Sequence, residues 1–396
     1  MPFSDPPTDL RLVDLMRGPW RTTPVTVSLV ALNLLVFATM VARGAGLWHG
    51  SSAVQLAWGA NFGPATQDGE WWRLFTAMFL HFGIVHLALN VWALWDAGRL
   101  VERLFGSWRF ALLYIGAGLE GNLVSLIVHG DRAVSGGASG AIFGVFGALL
   151  VCLARERHAI ERREFRWLFG GAAVFTAASL VLGFWIAGID NAAHLGGFLA
   201  GALLGAVLAR ALDRERPVPP ALRALAAAFL AGATTALALH VPAPRYRLSE
   251  EREARSAIEH FRVDERRISA RWKAIFDAGR QGGSSFEDLA GRIDADVTRE
   301  YQDSFEQLSS VSVSPGAPSA AELDYVRRYA QLRGGAAHAL ADALRANDPA
   351  AMQEAVEALR RAPQVARAAS AEAFPSGVAA SPAAPASAAA PTRSPR

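Results

Sequence analysis

The chain has 396 residues, 52% of them hydrophobic and 19% charged, with a formal net charge of +3. Charge this sparse, and kept away from long apolar runs, excludes an ordinary soluble globular protein. The sequence pI near 9.4 is explained by membrane topology, so no nucleic-acid partner is expected. The single cysteine, Cys152, lies inside an apolar run and excludes an intrachain disulfide.

About 20 apolar residues span the ~30 Å hydrocarbon core of a bilayer. Seven runs qualify: 25–42, 83–101, 110–128, 137–153, 167–188, 192–209 and 222–241. The first begins late and lacks the small-residue cleavage site of a signal peptide, so it is expected to remain as a helix behind an N-terminal segment 1–24. The long loop that follows carries Trp48, Trp58, Trp71 and Trp72. It is read as lying on or partly in the outer leaflet, with the tryptophans as interfacial anchors.

Spans one to six make an all-α polytopic core over 25–211, and a basic linker, 212–221, leads to the seventh span. Pro242 and Pro244 end that span, and a soluble helical module is expected over 245–370. In the module Ala257, Ile258, Phe261 and Ile268 suggest one buried face, and Leu340, Leu344, Met352, Val356 and Leu359 another. Ser310–Ser319 breaks the module, and Asn347-Asp348-Pro349 reads as a turn into a new helix. The remainder, 371–396, is rich in Ala, Pro and Ser and is expected to be disordered.

Arginines set the expected orientation. Arg11, Arg17, Arg21, Arg99, Arg103, Arg109, Arg155, Arg157, Arg162, Arg163, Arg166, Arg210, Arg214, Arg216 and Arg223 fall on one side, against Arg43, Arg73 and Arg132 on the other. The positive-inside rule places the N-terminus in the cytoplasm and, after seven crossings, the module outside. Abundant arginine and alanine suggest a high-GC bacterial genome, hence the cytoplasmic membrane of a bacterium.

Polar residues within spans are costly and mark function unless a structural role explains them. His86 and Asn90 stand four apart in span two and share a helix face. Span four opens with Gly137-Ala138-Ser139-Gly140, and span six with Asn191-Ala192-Ala193-His194-Leu195-Gly196-Gly197. Spans two, four and six all run outside to inside, so their N-terminal ends share one depth. At ~1.5 Å per helical residue, Ser139 and His194 lie within about 10 Å of the outer boundary.

A serine hydroxyl becomes a useful nucleophile when a neutral histidine takes its proton, and the histidine then returns that proton to the leaving amine. Gly137 allows close backbone approach, and the free N–H groups at the helix start suit an oxyanion, with His86 and Asn90 as further donors. Asp190, four residues before His194, is expected at the surface, which makes the site a dyad without an orienting carboxylate. Gly140 with Gly144, and Gly197 with Gly201 and Gly205, form small-xxx-small surfaces that would bring spans four and six together.

Trp72-Arg73, then His81-Phe82-Gly83-Ile84-Val85-His86-Leu87-Ala88-Leu89-Asn90, then Glu102-Arg103-Leu104-Phe105-Gly106-Ser107 resemble the first loop and second helix of rhomboid intramembrane proteases. Gly137-Ala138-Ser139-Gly140 resembles their Gly-x-Ser-Gly nucleophile motif, and Ala193-His194-Leu195-Gly196-Gly197 with Gly201 their sixth-helix histidine motif. The resemblance covers about 25–210. It implies a six-helix core, Ser139 as nucleophile and His194 as base. It further implies oxyanion contacts from His86, Asn90 and the Ser139 amide, and hydrolysis within or near the transmembrane segments of membrane proteins in lipid, without metal or cofactor. The seventh span and the module lie beyond that core.

The alternatives are an inactive rhomboid-like protein that binds transmembrane clients, a transporter, for which no inverted repeat is found, and a zinc site using His81, His86 and His194, which lacks a His-Glu-x-x-His helix. Arg73 and Glu102 are read as pins for the first loop and for the cytoplasmic end of span two. Glu120, Asn122 and Asp96 are read as interhelical hydrogen-bonding groups, and His81 as a loop or structural residue.

Overall fold

The computed structural model describes residues 23–186, 188–209 and 219–375. The expectations for segment 1–24, for linker 212–221 and for the tail therefore lie almost wholly outside the described residues. Those residues divide after Pro244 into two compact units. Among them the regular structure is helical, apart from an isolated antiparallel bridge between Asn61 and Ser135.

In the first unit α1 (Pro24–Ala42) is followed by a loop with three short helices, α2 (Ser52–Ala57), α3 (Gly63–Thr66) and α4 (Arg73–Thr76). Then come α5 (Ile84–Ala93), which passes through a π-helical turn at Leu94–Gly98 into α6 (Arg99–Phe105), and α7 (Ser107–His129). α8 (Ser139–Arg155), α9 (Arg162–Trp185), α10 (Asn191–Leu208) and α11 (Pro220–Leu239) complete it. Among the described residues five helices, α1, α7, α9, α10 and α11, are long and apolar enough to cross a membrane. Arg73–Phe79 and Ile84–Phe105 meet the same measure only when taken together, as a pair bent by 92° that forms either a broken span or a re-entrant loop. The protein is thus an all-α polytopic membrane protein.

One feature departs from the reading of the apolar runs. The fourth run does not begin as a helix at 137: α8 starts at Ser139 and has 17 residues. Gly137 takes φ +153 and donates its N–H to the Ala77 carbonyl, so the chain reaches Ser139 in non-helical form. An extended residue advances ~3.3 Å, not 1.5 Å, so the helical rise does not apply to the approach to Ser139. In the first loop Trp58 packs partly buried against the Met40, Ala60 and Leu80 cluster.

The core is built on α7, α8 and α6, with Phe110, Leu113, Tyr114, Val145 and Phe105 all fully buried. At one end, the buried Glu102 carboxylate receives the Val25 and Thr26 amides, the Thr26 hydroxyl and the Ser107 hydroxyl. Helix starts leave N–H groups without intrahelical partners, and Glu102 supplies acceptors to those of α1. The seventh helix packs on this core: the Thr234 hydroxyl of α11 donates to Glu120 of α7, and Arg223 donates to the Ala209 carbonyl at 3.0 Å. Glu120 therefore does bond between helices. Asn122 bonds to the loop, donating to the Leu74 carbonyl at 2.7 Å.

The second unit contains α12 (Leu248–Gln281), α13 (Phe286–Ile293) with a π-helical turn at Asp294–Thr298, α14 (Arg299–Ser310), α15 (Ala320–Ala346) and α16 (Pro349–Ala373). Ile258, Phe261 and Ile268 enter its core with Leu340 and Leu359, while Ala257, Leu344, Met352 and Val356 pack against that core partly buried. At the α15–α16 turn Asn347 adopts the left-handed conformation (φ 51°), and the Asp348 carboxylate caps the Ala350 and Ala351 amides ahead of Pro349. Both are residue types suited to those positions. The sequence reading missed the break at Gly282-Gly283, after which Ser285 and Asp288 form a capping box.

Candidate active site

α8 and α10 touch through their backbones. A Cβ built on Gly197 would lie 2.0 Å from the Gly140 carbonyl oxygen, and one on Gly201 would lie 2.1 Å from that of Gly144. No side chain fits between the helices at these levels. The approach carries Ser139, the first residue of α8, to His194, one turn into α10: Ser139 Oγ and His194 Nε2 are 2.8 Å apart across 55 residues of sequence.

The imidazole is buried and lies parallel to the Phe143 ring, with centroids 4.2 Å apart and planes within 8°. Sequence reasoning missed Phe143. Its signal was its spacing, four residues after Ser139 and so on the same helix face. The other ring nitrogen, Nδ1, is buried and has no hydrogen-bond partner among the described residues.

A third helix completes the surroundings. Gly137 packs so closely on His86 that an added Cβ would meet His86 Cε1 at 3.0 Å and Nε2 at 3.1 Å, and Ser139 Oγ at 3.5 Å. Its backbone also lies in a region that side chains disfavour. Asn90, one turn along α5, is buried and donates to the His86 carbonyl at 2.8 Å, which occupies one of its two amide hydrogens. His81 is buried beside His86, edge to face at 5.0 Å. Among the described residues no three His, Cys, Asp or Glu side chains gather closely enough to hold a metal ion.

The expectation for Asp190 needs correction. It is not a free surface group: its carboxylate accepts from Ser125 and Ser135 at 2.5 Å each, from the Ala193 amide at 2.9 Å, and pairs with His129 at 3.1 Å. Burial opposes its ionisation, but these donors outweigh it and hold the carboxyl well below the usual range.

The remaining singled-out residues sit outside this cluster. Buried Arg73 donates to the Leu56 and Ala60 carbonyls at 2.7 and 3.1 Å and pairs with Glu70, tying the first loop together. Trp72 is half exposed, with the Arg73 guanidinium 4.8 Å from its ring. Glu102 serves the start of α1 as described. Asp96 is exposed.

A family model described as the rhomboid domain matches residues 68–211. The chain is 38% identical over 209 residues to "Rhomboid protease GluP" of Bacillus subtilis, which covers 52% of this chain and 39% of that protein. It is 32% identical over 197 residues to "Putative rhomboid protease YdcA" of the same organism, covering 49% of this chain and 94% of the relative. To "Rhomboid protease AarA" of Providencia stuartii it is 29% identical over 249 residues, covering 58% and 87%. It thus spans well under two thirds of GluP but nearly all of YdcA. The match to nearly the whole of YdcA, together with the domain match over the helices just described, places this chain in the rhomboid family.

Proposed function

We propose that this protein is an intramembrane serine endopeptidase that cuts peptide bonds in or near the transmembrane segments of other membrane proteins. The observation that carries this reading is the 2.8 Å contact between Ser139 Oγ and His194 Nε2 on two helices whose backbones touch. His194 Nε2 accepts the hydroxyl proton as Ser139 Oγ attacks the scissile carbonyl, and returns it to the leaving amine as the acyl-enzyme forms. Water then attacks the ester, losing its proton to the same nitrogen, and His194 passes that proton to Ser139 Oγ as the ester C–O bond breaks and the product acid leaves. The developing oxyanion is received by the Ser139 N–H, which as the first amide of α8 has no intrahelical partner, with donors from His86 and the second amide hydrogen of Asn90.

The positive-inside pattern supports an N-terminus in the cytoplasm, a site opening to the outer side, and the 245–370 module outside. Substrate and lipid are the only partners this chemistry needs.

The test is cleavage of a model transmembrane substrate by purified protein reconstituted in lipid, comparing wild type with Ser139→Ala and His194→Ala. Product from wild type alone is expected. Equal product from all three would remove the dyad, and no product from any of them, with the substrate still captured, would favour a client-binding protein without protease activity.

A further inference from the structure

In a serine hydrolase triad a carboxylate orients the histidine through Nδ1. Here His194 Nδ1 has no such partner, and the stacked Phe143 fixes the plane of the ring without stopping it from sliding within that plane. Something else must hold His194 at the right height beside Ser139. The residue four positions before each member of the pair supplies the contact: Ser135, before Ser139, donates to Asp190, before His194, at 2.5 Å. This rung lies one step outside the Ser139–His194 rung and joins the same two segments.

Both ends of the rung are anchored. Ser135 exchanges backbone hydrogen bonds with Asn61 of the first loop, at 2.8 and 2.9 Å. Asp190 caps α10 through the Ala193 amide, and its own carbonyl accepts from the His194 N–H at 3.1 Å, so His194 belongs to the turn that Asp190 closes. From the third side Ser125 and His129, four apart on one face of α7, hold the same carboxylate. A half-buried carboxylate with donors from three segments is a fixed point, and those segments are the one leading to the nucleophile, the helix bearing the base, and α7.

We propose that Asp190 is a positioning residue for the reaction: it takes over the orienting task of a triad carboxylate, acting through the backbone turn of α10 and the Ser135 segment and not through a hydrogen bond to the imidazole. This rests on the protease reading. A shift of about 1 Å at a reacting pair costs on the order of 100-fold in rate. Asp190→Ala is therefore expected to lower kcat by about 10- to 100-fold with KM changed less than about 2-fold, since the Asp190 carboxylate is engaged by Ser125, Ser135, His129 and the Ala193 amide. Asp190→Asn should recover most of the loss, because an amide oxygen can still cap Ala193 and accept from Ser135. Ser135→Ala should lose more than Ser125→Ala, since only Ser135 leads to the nucleophile. The Ser135→Ala, Asp190→Ala pair should lose no more than Asp190→Ala alone, as residues sharing one contact are not additive.

The experiment measures kcat and KM for a model transmembrane substrate, together with the rate at which a fluorophosphonate labels Ser139, on full-length protein in lipid. The labelling rate is taken per folded molecule, so a loss of folded protein alone does not mimic the effect. If Asp190→Ala does not fold, Ser135→Ala against Ser125→Ala carries the test. Wild-type labelling and turnover in Asp190→Ala, or equal losses in the two serine variants, would overturn the positioning role while leaving the protease reading intact. Absence of labelling and cleavage in the wild type would overturn both.

Discussion

A methyl group added at Gly197 has no free space to enter. It would sit 2.0 Å from the Gly140 carbonyl oxygen and 2.7 Å from the carbon. A relaxed carbon–oxygen contact is about 3.3 Å. The obstacle is backbone and cannot rotate aside, so α8 and α10 must part by roughly 1.3 Å along that line. The same displacement stretches the 2.8 Å Ser139–His194 contact to roughly 4 Å, beyond hydrogen-bonding range.

Overpacking of this kind costs about 1–3 kcal/mol, offset by about 1 kcal/mol of helix propensity gained on replacing glycine. Gly197→Ala is therefore expected to lower thermal stability by up to about 2 kcal/mol and to reduce turnover by about 100-fold. Gly171→Ala, on α9 where an added Cβ meets nothing within 4 Å, is the matched control and should lose neither. Initial rates on a transmembrane substrate in lipid, with melting followed on the same preparations, read both quantities. Turnover within twofold of wild type in Gly197→Ala would refute the claim that backbone contact sets the distance between Ser139 and His194.

Removing the Glu102 carboxylate strands two α1 amides and two hydroxyls. Glu102→Ala should cost at least about 3 kcal/mol and Glu102→Gln less, as measured by thermal unfolding in detergent. Phe143→Leu fills most of the space but cannot stack on His194, and should slow fluorophosphonate labelling of Ser139 by about tenfold, since an aromatic pair contributes about 0.5–1.5 kcal/mol.

The C-terminal unit should lose stability in acid. The hydrogen bond from Arg267, opposed by slight burial and joined by the charges of Arg267 and Arg271, holds Glu300 below its ordinary range. A carboxyl lowered on folding stabilises the fold above its unfolded value and loses that contribution as pH falls through its folded value. Melting of this unit between pH 7 and pH 3 should therefore show an acid loss that is smaller in Glu300→Gln. The difference should stay under about 1 kcal/mol, because the pair is exposed to solvent.

Local patterns made much of this protein legible. Each apolar run became a helix within a few residues, because length and apolarity alone decide whether a segment can leave water. The Asn347-Asp348-Pro349 turn was equally readable, since left-handed, capping and first-turn positions each select a residue type. The glycines on spans four and six marked a close crossing, because only residues without side chains permit one. Where local pattern failed, the cause was tertiary. The start of α8 at Ser139 depends on the Ala77 carbonyl taking the Gly137 N–H, a partner 60 positions away that no spacing predicts.

Sequence by itself determined that this is a polytopic membrane protein, that Ser139 and His194 stand near the starts of two helices running the same way, and which glycines would let those helices approach. Those conclusions need only hydropathy, helical periodicity and side-chain size. Tertiary structure alone decided the 2.8 Å contact, the Phe143 stack, the packing of α11 through Thr234 on Glu120, and the engagement of half-buried Asp190 by donors from α7 and the Ser135 segment. A carboxylate's role depends on what closes over it, and the groups that close over Asp190 lie 55 to 65 residues away in the chain.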